Sequence, residues 1–325
     1  MLARSRIIAI ILVGVGTALL AVGTLLPRFI DGSPKLPLDI PPLSYTLRAE
    51  DGISTRFNEE GQREEVFSPI RRQLHGELIE PADSEKVSLR VGVTEMREQP
   101  AEVLGTDPLT ELVDAVVWTF TIDRLTGEFV APATIVDRMA GVPRDVQVSG
   151  NWVKLPTNTQ QQTYEIFDDF YRGSLPANYV ETQQRGETEL YLFRQEIAPT
   201  NLAERYRSYN TMVDFGDQTG FLHYAGVRDY LVEPKSGAVV YVREDIDLWW
   251  QNRQGERLMT YLRFNGAMSD EDSNMLLAGA LHNFTTKPLR PWSIALITVG
   301  AIITFAGTVG AVRPSRNNEK GSERV

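Results

Sequence analysis

The chain has 325 residues, 42% of them hydrophobic, and a formal net charge of −10, which allows one large domain or two small ones plus membrane segments. It contains no cysteine, which excludes disulfides, thiolate catalysis, cysteine-ligated zinc and lipid attachment through an N-terminal cysteine. The acidic balance speaks against nucleic acid as a partner.

In chain order, the first feature is the apolar run Ile7 to Leu26, 20 residues without a charge. A helix rising about 1.5 Å per residue spans the roughly 30 Å hydrocarbon core with that length. Lipid offers no hydrogen-bond partners to the backbone, so such a run must be helical there. Arg4 and Arg6 ahead of it would also suit a signal peptide. The run exceeds a usual signal core and Pro27-Arg28 follows it directly, so an uncleaved anchor is expected. Pro34, Pro37, Pro41 and Pro42 then make a stiff, extended entry to the next segment.

Alternation and β-branched or aromatic content dominate the middle of the chain. Strands are expected at Ser44–Arg48, Val87–Thr94, Val116–Ile122, Asn151–Leu155, Glu189–Arg194, Tyr230–Glu233, Ala238–Val242 and Leu258–Phe264. Two hairpin turns share the pattern acidic-x-x-[Thr/Ser]-Gly, at Asp123–Gly127 and Glu233–Gly237. The glycine supplies positive φ and the acidic side chain can accept local N–H bonds. A short helix is expected over Thr200–Tyr209. The capping box Ser269-Asp-Glu-Asp272 opens another that runs to Asn283.

The second apolar run, Trp292 to Val312, has 21 uncharged residues bracketed by Arg290 and Arg313, with Trp292 where an interfacial aromatic belongs. The expected fold class is therefore a mainly β domain, antiparallel and α+β, flanked by two transmembrane helices. The divisions are 1–6 tail, 7–26 helix, 27–291 β-rich domain, 292–312 helix and 313–325 tail. Six basic residues (Arg4, Arg6, Arg313, Arg316, Lys320, Arg324) flank the helices on the tail side against four (Arg28, Lys35, Lys287, Arg290) on the other. That bias places both tails in the cytoplasm and the domain outside the membrane. With Glu319 and Glu323 the tails carry +4, which leaves −14 for the domain out of the total of −10. Small residues four apart, Gly14–Ala18, Thr17–Ala21, Gly300–Thr304 and Gly307–Ala311, would let the two helices pair closely.

These features carry a resemblance. Lys35-Leu-Pro-Leu-Asp-Ile-Pro, Ile122-Asp-Arg-Leu-Thr126, Asn151-Trp-Val-Lys-Leu-Pro156 with Thr163-Tyr-Glu-Ile-Phe-Asp168, Val232-Glu-Pro-Lys-Ser-Gly237 and the closing helix resemble the actinobacterial envelope proteins of the porin PorA family. The resemblance covers nearly the whole chain. It implies a cell-envelope location and supplies no catalytic or binding residues. A transmembrane β-barrel would need ten-residue strands apolar on the outside, whereas the apolar material here is concentrated in two helices. In layout alone, two anchors around a β-rich domain are similar to the class B scavenger receptors, which handle lipids.

His75, His223 and His282 are the only histidines, and none has a partner at metal-ligand spacing. No nucleophile elbow, phosphate loop or dinucleotide fingerprint occurs. Acidic clusters lie at Asp168-Asp169, at Asp270–Asp272, and at Glu244-Asp245 with Asp247 ahead of Trp249-Trp250. The last is the one place suited to a carboxylate hydrolase, and a charged edge strand beside core tryptophans is its structural alternative. No catalytic, metal or cofactor residue is therefore assigned. The expected function is non-enzymatic: an envelope protein binding an envelope lipid, a wall component or a protein partner, with the lipid bilayer as its surroundings and its oligomeric state open. Lipid transfer, an oligomeric pore and a hydrolase are the alternatives.

Overall fold

The computed structural model describes residues 4–29, 35–98, 108–138, 141–283 and 289–312. The chain divides into two compact units, one containing both terminal helices and the other spanning Pro34–Thr285. The 313–325 tail lies outside the described residues.

In the first unit, α1 (Arg4–Phe29) and α4 (Leu289–Val312) pack along each other. Both contain spans long and apolar enough to cross a membrane, and large side chains such as Ile10, Val15, Ile302 and Phe305 stay exposed on their outer faces. The backbones touch at glycines. A Cβ on Gly16 would stand 2.7 Å from the Gly300 carbonyl oxygen, and one on Gly307 would stand 2.8 Å from the Val13 nitrogen. Gly300, Thr304 and Gly307 therefore serve the pairing, as their spacing suggested. On α1 the contact runs instead through Ala9, Val13, Gly16 and Gly23. Gly14, Thr17, Ala18 and Ala21 face away from α4, because 3.6 residues per turn puts Gly16 and Gly14 on different faces.

The second unit is built on a 13-stranded antiparallel sheet. Its strands are β1 (Leu43–Phe57), β2 (Arg63–Ala82), β3 (Lys86–Arg97), β4 (Leu112–Asp123), β5 (Ala133–Val136), β6 (Arg144–Val146), β7 (Tyr164–Asp168), β8 (Gly173–Arg185), β9 (Thr188–Asn201), β10 (Met212–Asp214), β11 (Thr219–Glu233), β12 (Ala238–Gln251) and β13 (Arg257–Met268). The order is β6-β5-β4-β3-β2-β1-β13-β12-β11-β9-β8-β7, with β10 on β11. Single bridges link Ile122 to Phe129, Glu128 to Asn151 and Asn151 to Ile166, so backbone pairing leads from β4 round to β7. The curled sheet encloses a core in which Phe167 of β7 stacks edge-on against Trp118 of β4 at 5.2 Å.

Long strands alternate in burial. On β12, Val240, Val242, Glu244, Ile246, Leu248 and Trp250 point inward. Many outward positions are polar: Arg71, Gln73 and His75 on β2, Arg90 on β3, Arg243 and Asp245 on β12, Arg263 and Asn265 on β13. Phe67 on β2 and Val117 on β4 are exposed among them, and the charged positions suit a sheet face in water better than a continuous lipid-facing band.

Two expected elements differ. Asn151–Leu155 is not a strand but a wedge between the two hairpin turns, held by isolated bridges from Asn151 to Glu128 and Ile166 and from Lys154 to Ala238. The turns form as their pattern dictates. Asp123 Oδ1 accepts from Leu125 and Thr126 N–H, and Glu233 accepts from Lys235 and Ser236 N–H. Gly127 and Gly237 have φ of +74° and +75°, and a Cβ on either would strike the carbonyl of Lys154 or Leu155. The expected helix at Thr200–Tyr209 is one turn, α2 (Leu202–Arg205), because Tyr206 leaves helical geometry with φ −153°. The capping box does open α3 (Asp270–Asn283), where Asp272 N–H donates to Ser269 Oγ at 3.0 Å.

Candidate functional site

The interior of the β unit holds an ionic cluster. Arg72 of β2 and Glu95 of β3 face each other in register, and Arg72 Nη1 donates to Glu95 Oε1 at 2.8 Å. Arg72 Nη2 donates to Asp169 Oδ2 at 2.5 Å, and its Nε lies 3.2 Å from Glu244 Oε2. Arg228 of β11 is the second cation. It donates from Nη2 to Asp169 Oδ1 at 3.1 Å, with Nε 3.3 Å from Asp168 Oδ2 and Nη1 3.5 Å from Glu244 Oε1. The Tyr224 hydroxyl donates to Asp168 Oδ2 at 2.6 Å, and Phe170 lies beneath the Arg72 guanidinium at 4.7 Å. All six charged residues are at most 6% exposed.

Two guanidinium groups and four carboxylates would sum to −2 if all were ionised, which a buried site tolerates poorly. Protonation resolves it. Burial pushes the Glu95 carboxyl up to about 8 against the pull of Arg72, and burial likewise raises Asp168. Burial acts on Asp169 too, but Arg72 and Arg228 on either side hold it below the usual carboxylate range. Asp169 is the ionised centre of the cluster and Glu95 is its protonated margin.

The sequence clusters are thus sorted by the fold. Asp168-Asp169 sits at the heart of the network. Glu244, Asp245 and Asp247 do not form one site, because strand alternation sends Glu244 and Trp250 inward and Asp245, Asp247 and Trp249 outward. Asp247 is held by Arg257 and Arg263 at 2.8 and 3.2 Å. His223 stacks on Trp249 at 5.7 Å and His75 is exposed on β2. Arg72, Glu95 and Arg228 escaped the sequence reading. Their signal was one charged residue in an otherwise inward apolar row, as in Ile70-x-Arg72-x-Leu74.

A second feature is an apolar pocket of about 210 Å³ lined by Leu36, Leu43, Leu89, Val91, Met275 and Ala280, among others. It is walled by the proline-rich entry on one side and α3 on another. Gly279 lines it, and nothing lies within 4 Å of where its Cβ would be. Lys154 borders it with its charge turned away: Nζ donates to the carbonyls of Leu125 and Leu155 and to Thr157 Oγ1. Burial pushes this amine down to about 7. Leu43, Val153 and Val239 are shared with a cavity of about 30 Å³ that touches Arg72, Arg228 and Glu244. The apolar space therefore ends at the ionic cluster.

Two apolar helices of membrane-crossing length and a curled antiparallel sheet with an ionic interior define a membrane-associated β-domain protein. The family described as Porin PorA matches residues 8–309, and the chain belongs to it. A Porin PorA of Corynebacterium amycolatum is 23% identical over 222 residues, which covers 56% of this chain and 55% of that protein. The chain thus spans about half the length of that relative. Family and helices together point to a membrane or envelope location.

Proposed function

We propose that this is a non-enzymatic protein anchored in the cell membrane by both helices, with the β domain outside, and that the domain binds an apolar envelope ligand in the Leu36–Ala280 pocket. The pocket carries the reading: it is apolar and already formed. Its natural occupant is a lipid acyl chain, since a chain anchored in a bilayer meets that chemistry first.

The relative's name invites a pore, and the scavenger-receptor layout invites a lipid tunnel. A lipid tunnel needs a passage through the domain, and the apolar pocket shares its inner lining with a small cavity that touches the buried Arg72 and Arg228; a pore would have to form between several chains. The charged outer faces of β2, β12 and β13 argue against insertion of the sheet into lipid. A dead-end binding pocket fits both observations.

The test is mass spectrometry of lipid retained by the full-length protein purified in mild detergent, beside a Gly279→Phe variant that fills the pocket. Wild type should carry a specific lipid and the variant little of it. Equal lipid in a folded variant, or single-channel conductance from the pure protein, overturns the proposal. Phosphatase fusions within 27–291 should be active, and inactivity there would reverse the orientation.

A further inference from the structure

We propose that a second concavity of the β domain is a binding site for a phosphate-type oxyanion. It has a volume of about 420 Å³ and is lined by Arg144, Arg172, Arg205 and Arg207, with Tyr171 and Tyr206 between them. Four arginines line it in a domain whose formal charge is −14 by the division above. The cluster must be local to attract an anion, because the long-range field of the domain repels one.

Three of the four are held in place. Arg144 pairs with Asp137 and donates from Nη1 to the Arg207 carbonyl at 2.9 Å. The Arg205 guanidinium lies 3.4 Å above the Tyr171 ring, and its Nε donates to the Tyr171 carbonyl at 3.1 Å. Gly173 makes room for it, since a Cβ there would stand 3.0 Å from Arg205 Nη2. Arg172 lies 3.8 Å above Tyr206. Stacking fixes the plane of a guanidinium and leaves edge donors to point at a ligand, which lowers the ordering cost of binding.

The nearby carboxylates do not neutralise the set. Asp137 receives Arg144, Arg172 and the Ser208 hydroxyl, and Asp145 stands at the rim. Among the described residues no carboxylate lies within 4 Å of the Arg205 or Arg207 guanidinium groups. Four cations against two anions leave a surplus of two positive charges in a space suited to one ligand group. The planar guanidinium fork matches the paired oxygens of a phosphate, to which it donates in bidentate fashion. The ligand can be a soluble phosphate ester or the headgroup of a lipid, which share this chemistry.

The experiment uses the full-length chain in non-ionic detergent. Inorganic phosphate is titrated calorimetrically, and in a second arm the micelles are doped with phosphatidylglycerol. The expected result is saturable binding that the double variant Arg205→Gln/Arg207→Gln weakens at least tenfold with the melting temperature unchanged. Tyr171→Leu, which removes the stacking platform, should weaken it severalfold. Arginine-dependent binding in the doped arm alone identifies the phosphate as lipid-borne. No arginine-dependent binding in either arm overturns the proposal. So does an equal loss in Arg253→Gln, an exposed arginine outside this cluster.

Discussion

Arg228 and Glu244 face each other across the β11–β12 pair, both buried, with Nη1 3.5 Å from Oε1. The pair is not equivalent in its two halves. Arg228 is one of two cations serving four carboxylates, while Glu244 is one of those four. Arg228→Met should therefore destabilise the domain by about 3–5 kcal/mol, the cost of a buried charge left without its partner. Glu244→Gln keeps the side chain's shape and leaves Arg72 and Arg228 their contacts with Asp169, so it should cost clearly less. Chemical denaturation of the detergent-solubilised protein measures both, and an equal cost would contradict that asymmetry.

Glu95 makes stability depend on pH. Its folded carboxyl titrates at about 8 against an ordinary value of 4.5, so the folded state holds a proton that the unfolded state has released. Its stabilising contribution is full below about 4.5 and is lost as pH rises toward 8. Lys154, lowered to about 7, acts above that pH and in the opposite direction. Melting temperature should fall between pH 5 and pH 7, and Glu95→Gln should flatten the slope. A slope unchanged in the variant would remove Glu95 as its cause.

Lys154 Nζ donates to the Leu125 carbonyl of the first hairpin turn and, within its own segment, to the Leu155 carbonyl and to Thr157 Oγ1, whose hydroxyl donates in turn to the Ser236 carbonyl of the second. Lys154→Met keeps the length of the side chain and leaves the Leu155 carbonyl without that donor, while the Leu125 carbonyl keeps the Thr157 N–H. A buried acceptor so orphaned costs about 1–3 kcal/mol. Hydrogen exchange should show faster opening of Asp123–Gly127 and Glu233–Gly237 together. Opening of one turn alone would mean that they are not coupled through this residue.

The paired helices can be tested in a background free of native cysteine. A Cβ at Gly310 would lie 3.5 Å from the Ala9 Cβ, within the range of a disulfide. The double variant Ala9→Cys/Gly310→Cys should cross-link within one chain under mild oxidant. Failure to cross-link in membranes, with both thiols reactive, would break the α1–α4 register.

The sequence by itself determined the two apolar helices, the β class of the domain, both hairpin turns and the capped helix α3. In each case the signal is local: an unbroken apolar run, a period of two, or a glycine and an acid at fixed offsets. Tertiary structure alone decided the interior. β2 was illegible because Arg72 interrupts its inward apolar row, and a charge at that position is stable only once Glu95, Asp169 and Glu244 arrive from β3, the β7 end and β12. The same alternation that builds β12 separated Glu244 from Asp247, three residues apart in the chain and on opposite faces of the sheet. Both pockets join segments far apart in sequence, and no local pattern encodes which side chains a closing sheet will bring together.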